Sequence, residues 1–195
     1  IGDCGTAIVF IEGISMLAAK AIQASRLYNG QETSTRYIDF AHQPFLNPVG
    51  TQAGDAILEG WREFYIQSTA TVARSLEECF PRNDGEDQNI YTKAINARAF
   101  DIMRGFLPAG ATTNVAWSTT LRQFSDHILQ LRHHPLEEVR GIAEVLEQAL
   151  IETYPNSFSN KRYPETEAYV KKINENYYYH DPMSPEFALM RDGID

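Results

Sequence analysis

Cysteine is almost absent from this chain. Cys4 and Cys79 are the whole complement, too few and too far apart for a disulfide framework or a cysteine-rich zinc site. The expectation is two free thiols in a reducing cytosol. Long apolar runs are also lacking: no stretch approaches the ~20 residues that span a bilayer, and no signal peptide is expected. Basic charge is in deficit, with 17 Lys and Arg against 26 Asp and Glu and a net charge of −9. That balance argues against a nucleic-acid polymer as partner, because neutralising phosphates needs a basic surface. A mononucleotide needs only a few local arginines and is not excluded. No Ser-His-Asp or Cys-His arrangement has local support. Adjacent His133 and His134 point apart at a helix entry, and Glu137 and Glu138 suit a helix's first turn, so no metal site is expected.

What is present suits one domain, or one domain with an appendage, since 43% of the 195 residues are hydrophobic and can bury a core. Thr6–Glu12 is a β-branched and aromatic run that reads as a strand, broken by Gly13. Ser15 can cap a helix from Met16 to about Ser25. Tyr28-Asn29-Gly30 marks a turn, and Thr33–Phe40 reads as a second strand with Ser34, Arg36 and Ile38 on one face. A Pro- and Gly-rich loop, 42–54, precedes a long helix opened by Asp55 and closed at Pro81. Ile57, Leu58, Trp61, Phe64, Tyr65, Val72 and Leu76 keep helical spacing along it.

The chain is organised around Asn96–Arg140. Ile90–Phe106 reads as a helix, with alanines at 94, 97 and 99 that allow another helix to approach. Pro108 and Gly110 end it. Thr112 or Thr113 is expected to cap a following helix, in which Trp117, Leu121, Phe124 and Ile128 recur at helical spacing. A further helix starts near Pro135 and stops at Pro155, a short amphipathic one covers Glu165–Tyr177, and Tyr177 onward reads as an extended tail.

Two stretches carry a family resemblance. The order Arg104-x-x-Leu-Pro-x-Gly-x-x-Thr113, then Trp117, Arg122, Leu131-Arg132 and Glu138-Val-Arg140, is similar to the carboxy-terminal half of the flavin-dependent thymidylate synthases. Gln31-Glu-Thr-Ser34-Thr-Arg36-Tyr37 resembles the end of that family's signature, Arg-His-Arg-x-x-Ser-x-Asn-Glu-x-Ser-x-Arg-Tyr. Where the family has Arg-His-Arg this chain has Ala24-Ser25-Arg26, and Asn29 and Gln31 stand for its Ser and Asn. The resemblance covers roughly Thr6 to Phe158.

It implies an α/β (α+β) fold, a small β-sheet packed by several long helices. It also implies a synthase-like domain over 1–158, short of its amino-terminal part, and a C-terminal helix and tail over 159–195. The implied activity is methylation of dUMP to dTMP with methylenetetrahydrofolate as carbon source and reduced FAD. The alternative is a catalytically inactive homologue that binds a nucleotide or serves assembly. Carried over by motif, Glu32, Ser34, Arg36, Arg104 and Arg132 meet the substrate, with Ser34 and Arg132 in catalytic positions. Arg26, Thr120, Arg122 and Asp126 meet the flavin. One extra residue between Arg122 and Arg132 would turn Arg132 by about 100° around its helix. A cytoplasmic homotetramer is expected by the same resemblance, and the family would have more chain upstream of the first strand.

Overall fold

The computed structural model describes residues 5–158 and 161–178; Cys4 and the expected tail beyond residue 178 lie outside these, while Tyr177 and Tyr178, expected to begin that tail, end a helix. Six helices and a three-stranded sheet make an α+β fold among the described residues. In chain order they are β1 (Thr6–Ser15), α1 (Met16–Gln23), β2 (Gly30–Glu32), α2 (Gln52–Cys79), α3 (Gln88–Met103), β3 (Thr112–Thr120), α4 (Leu121–Arg132), α5 (Glu137–Thr153) and α6 (Pro164–Tyr178). The strand order is β1-β3-β2.

The central strand is where the expected helix should have begun. Thr112–Thr120 is β3, not the first turns of a helix. Its sequence is dense in β-branched residues, which lose side-chain freedom in a helix and fit a pleated surface. Thr113, Val115 and Trp117 are buried on one face while Asn114, Ala116 and Ser118 alternate with them. The helical spacing misled because Trp117, at the end of the strand, packs on Phe124 of the next helix with ring centroids 4.3 Å apart. The cap is Thr120, whose Oγ1 accepts from the Gln123 N–H at 3.3 Å. From there Leu121, Phe124, Ile128 and Leu131 bury one face of α4.

The second strand is displaced: none of Thr33–Phe40, where it was expected, is strand. β2 covers Gly30–Glu32, and Thr35–Tyr37 is a 3-10 turn rather than strand. Ser34 accepts from the Arg36 N–H at 3.4 Å as the N-cap of that turn, a local bond that competes with the sheet ladder. β1 runs past Gly13, which takes φ 67° and donates its N–H to Asn114 Oδ1 at 2.9 Å. Beyond it, Ser15 does cap α1, accepting from the Ala18 N–H at 3.0 Å.

The chain packs as two compact units. One holds the described residues of Phe10–Ala19 and Gly30–Ala116. Its core joins Phe40, Tyr65, Met103 and Ala111, with Phe45, Phe100 and Leu107 against them. α2 and α3 pack side by side here. Arg62 ties the preceding loop to α2: its Nη1 donates to the carbonyls of Phe40 and Gln43, and its guanidinium lies 4.3 Å from the Phe45 ring centroid. The other unit holds the described residues of Ile1–Val9, Lys20–Asn29 and Trp117–Asp195. In it Phe124, Ile128, Val139, Ala143 and Leu150 are buried at the α4–α5 pairing, and α6 packs on α4.

Candidate functional site

In the unit built on α2 and α3, distant motif residues converge. The 3-10 turn that Ser34 caps presents Arg36, and α3 presents Asp101 one turn before Arg104. Arg36 Nε donates to Asp101 Oδ1 at 3.1 Å while its Nη2 donates to Asp101 Oδ2. This is the side-on, two-point geometry that a guanidinium and a carboxylate favour. Arg104 Nη1 stands 3.6 Å from the same Asp101 Oδ1. Two arginines therefore share one carboxylate, and the trio carries a net positive charge. All three side chains are reachable from solvent, at 49% exposure for Arg36, 54% for Arg104 and 36% for Asp101.

Just before this turn in the chain, Glu32 lies in the wall of a cleft of about 240 Å³. Phe10 and Glu12 of β1, Gln31 and Thr33, and Asn114 to Ala116 of β3 complete it. Thr33 is pinned to β3 by its N–H, which donates to the Asn114 carbonyl at 2.9 Å.

The remaining predicted residues belong to the other unit. Arg132 closes α4 with its side chain only 11% exposed, and its charge is already met. Nη1 donates to Glu147 at 2.5 Å and Nη2 to Glu167 at 2.7 Å. Glu167 also meets His133 Nε2, and Glu147 accepts from Arg162 Nη2 at 2.6 Å. Burial pushes the Glu147 carboxyl upward, but hydrogen bonds and charge from Arg132 and Arg162 outweigh it and leave its pKa below the ordinary value. A smaller cleft of about 150 Å³ opens beside this cluster, with Asp126 on its rim. Arg26 and Arg122 are exposed. Among the described residues no group of three or more His, Cys, Asp or Glu is placed to hold a metal ion.

The family model described as thymidylate synthase complementing protein matches residues 5–156. The chain belongs to that family. A UPF0159 protein of Chlamydia muridarum (strain MoPn / Nigg) is 25% identical over 206 residues, covering 100% of this chain and 37% of the relative. A UPF0159 protein of Chlamydia pneumoniae is 26% identical over 171 residues, covering 82% and 32%. The chain thus spans about a third of the length of the curated relatives it matches. Among solved structures, thymidylate synthase X (ThyX) from Helicobacter pylori with FAD and dUMP is similar at a TM-score of 0.45 and 18% identity. That match covers 80% of this chain and 72% of the other.

Within this member of the thymidylate synthase complementing family, Arg36 and Arg104 meet on Asp101, Ser34 caps the turn that carries Arg36, and Glu32 is close by in sequence. Asp101 is the functional candidate that sequence reading passed over. Its signal was present, since an acid three residues before Arg104 on a helix lies on the same face. The flavin positions are a poorer fit. The Thr120 hydroxyl accepts one hydrogen bond as a cap and keeps its O–H to donate, and Asp126 puts a carboxylate one turn from Arg122, where a dinucleotide's phosphates would want donors. Of this set, Arg26 and Arg122 are exposed cations suited to an anionic cofactor, and Asp126 is the member that opposes it.

Proposed function

We propose that this chain binds the 5′-phosphate of a uridylate through Arg36 and Arg104, with Ser34 and Glu32 at the nucleotide. The wider reading is that it does so as part of a flavin-dependent thymidylate synthase, which methylates dUMP to dTMP using methylenetetrahydrofolate and reduced FAD. The observation that supports this most is the meeting of Arg36 and Arg104 on one solvent-reachable carboxylate. They come from motif stretches far apart in sequence, and their planar forks suit a phosphate's oxygens. In that reading the arginines hold the phosphate as a handle, so that binding energy remote from the base can position it for the reaction. FAD would supply the reducing chemistry when bound; the part proposed for this chain is positioning.

Family assembly as a homotetramer in the cytoplasm belongs to the same proposal. Trp61, Phe64 and Phe106 leave an apolar cluster 42–47% exposed on α2 and the turn after α3, with ring centroids 5.5–5.7 Å apart. An apolar patch of that kind marks an interaction surface. The second reading, a homologue that binds nucleotide without catalysis, draws on the unit containing Arg132. There Glu147 and Glu167 hold the arginine that the resemblance places at the substrate, and Asp126 stands at a flavin position.

Calorimetry with dUMP and with FAD, together with absorbance of the purified protein near the flavin bands, separates these readings. Binding of both, with yellow protein and methyl transfer, is the expected result for the synthase. Binding of dUMP alone favours the inactive homologue. No dUMP binding at all refutes both.

A further inference from the structure

We infer that Asp101 is a positioning residue for an anion site, fixing Arg36 and Arg104 so that their outer N–H groups converge on one phosphate. The inference rests on the nucleotide reading above for the identity of the ligand, and on geometry for the role. A guanidinium has five N–H donors in a rigid plane. Asp101 takes Nε and one hydrogen of Nη2 from Arg36. The distal edge, Nη1 and the second Nη2 hydrogen, is not used by Asp101, and that edge offers two parallel donors. Arg104 approaches the same carboxylate oxygen with Nη1 alone, at 3.6 Å, so most of its fork is also unspent on Asp101.

The setting of Asp101 argues that it is not there for the helix. It lies in the last turn of α3, which ends at Met103. A helix terminus of that polarity disfavours negative charge. The pairing is half in water, where an isolated ion pair contributes little to folding. A side chain that the helix disfavours and folding hardly needs, yet which grips one arginine at two points and draws in a second, is suited to holding a recognition geometry. The gain is entropic: arginines fixed before the ligand arrives lose less freedom when they bind it.

Charge and positioning predict opposite outcomes, which makes the inference testable. Asp101→Asn raises the local charge by one unit, so Coulomb attraction alone would tighten binding of an anion. Loss of the carboxylate's charge instead frees Arg36 from its two-point pair, removes the attraction that draws in Arg104, and weakens binding. The experiment is titration of the wild-type chain, Asp101→Asn and Asp101→Glu with dUMP by calorimetry and with inorganic phosphate by phosphorus NMR. The expected result is about a ten- to hundredfold loss of affinity for both probes in Asp101→Asn, with Asp101→Glu recovering most of it. Thermal melts should be unchanged within a degree or two. Equal or tighter phosphate binding in Asp101→Asn overturns the inference, as does a wild-type chain that binds neither probe. A wild-type chain that binds phosphate but prefers it to dUMP removes the uridylate reading, and the Asp101 comparison with phosphate still decides the positioning role.

Discussion

Replacing Glu147 by Gln tests whether Arg132 is held by the fold or is free for a ligand. Glu147 is 8% exposed on α5 and accepts from Arg132 at 2.5 Å and Arg162 at 2.6 Å. Removing one partner of a buried ion pair costs about 3–5 kcal/mol, because the other charge is left without compensation. Glu147→Gln keeps the shape and one acceptor oxygen, and Glu167 still meets Arg132 at 2.7 Å, so about 2–3 kcal/mol is expected. At ~2–4 °C per kcal/mol for a chain of this size, the melting temperature should fall by roughly 5–10 °C at pH 7. The acid side fixes the sign. The folded-state pKa of Glu147 lies below its ordinary 4.5, so its contribution is present above 4.5 and is lost as pH falls through the lowered value. Wild-type and variant melts should therefore converge in strong acid. Arg132→Met with Glu147→Leu should cost less than the two single changes added together, since the two buried charges leave together, Glu167 keeps His133 and Arg162 is half in water. A Glu147→Gln protein that melts with the wild type, in an additive cycle, would refute this reasoning and return Arg132 to the pool of ligand arginines.

Three further outcomes are expected. Arg104→Ala should weaken dUMP binding about ten- to hundredfold in calorimetry while leaving any FAD binding unchanged; equal loss of both would mean a folding defect. Gly110→Ala should destabilise by about 2–3 kcal/mol in a urea titration, because its Cβ would sit 2.2 Å from the Leu46 carbonyl oxygen, whereas Gly105→Ala, with nothing within 4 Å, should be nearly neutral. His127 is partly buried and its Nε2 lies 3.0 Å from the Ile22 carbonyl, so desolvation holds its pKa below the ordinary 6.5 despite that hydrogen bond. The unfolded chain therefore takes up the proton first, and melting temperature should decline as pH falls below 6.5. His127→Phe should flatten that slope, with a residue remaining from His134, also lowered by burial.

The helices were legible from local signals. Asp87 accepts from the N–H groups of Asn89 and Ile90 to start α3, Ser15 caps α1, and the apolar stripe at Val139, Ala143, Leu146 and Leu150 faces the core of α5. Such signals lie within a few residues of one another, so a sequence carries them whole. The strand at Thr112–Thr120 was not legible in that way. Its periodicity depends on which neighbours exist, and Trp117 and Phe124 share a core only because β3 turns directly into α4. Likewise, the identity of Arg36 and Arg104 as anion-recognition candidates came from motif residues alone. That they stand on the same carboxylate, Asp101, is a long-range fact decided by packing α3 against the loop after β2. Arg132 shows the converse: its motif context suggested a ligand arginine, and only the docking of α5 and α6 onto α4 gave it Glu147 and Glu167 as partners. Residue type sets what a side chain can bind, and the tertiary structure decides what reaches it first.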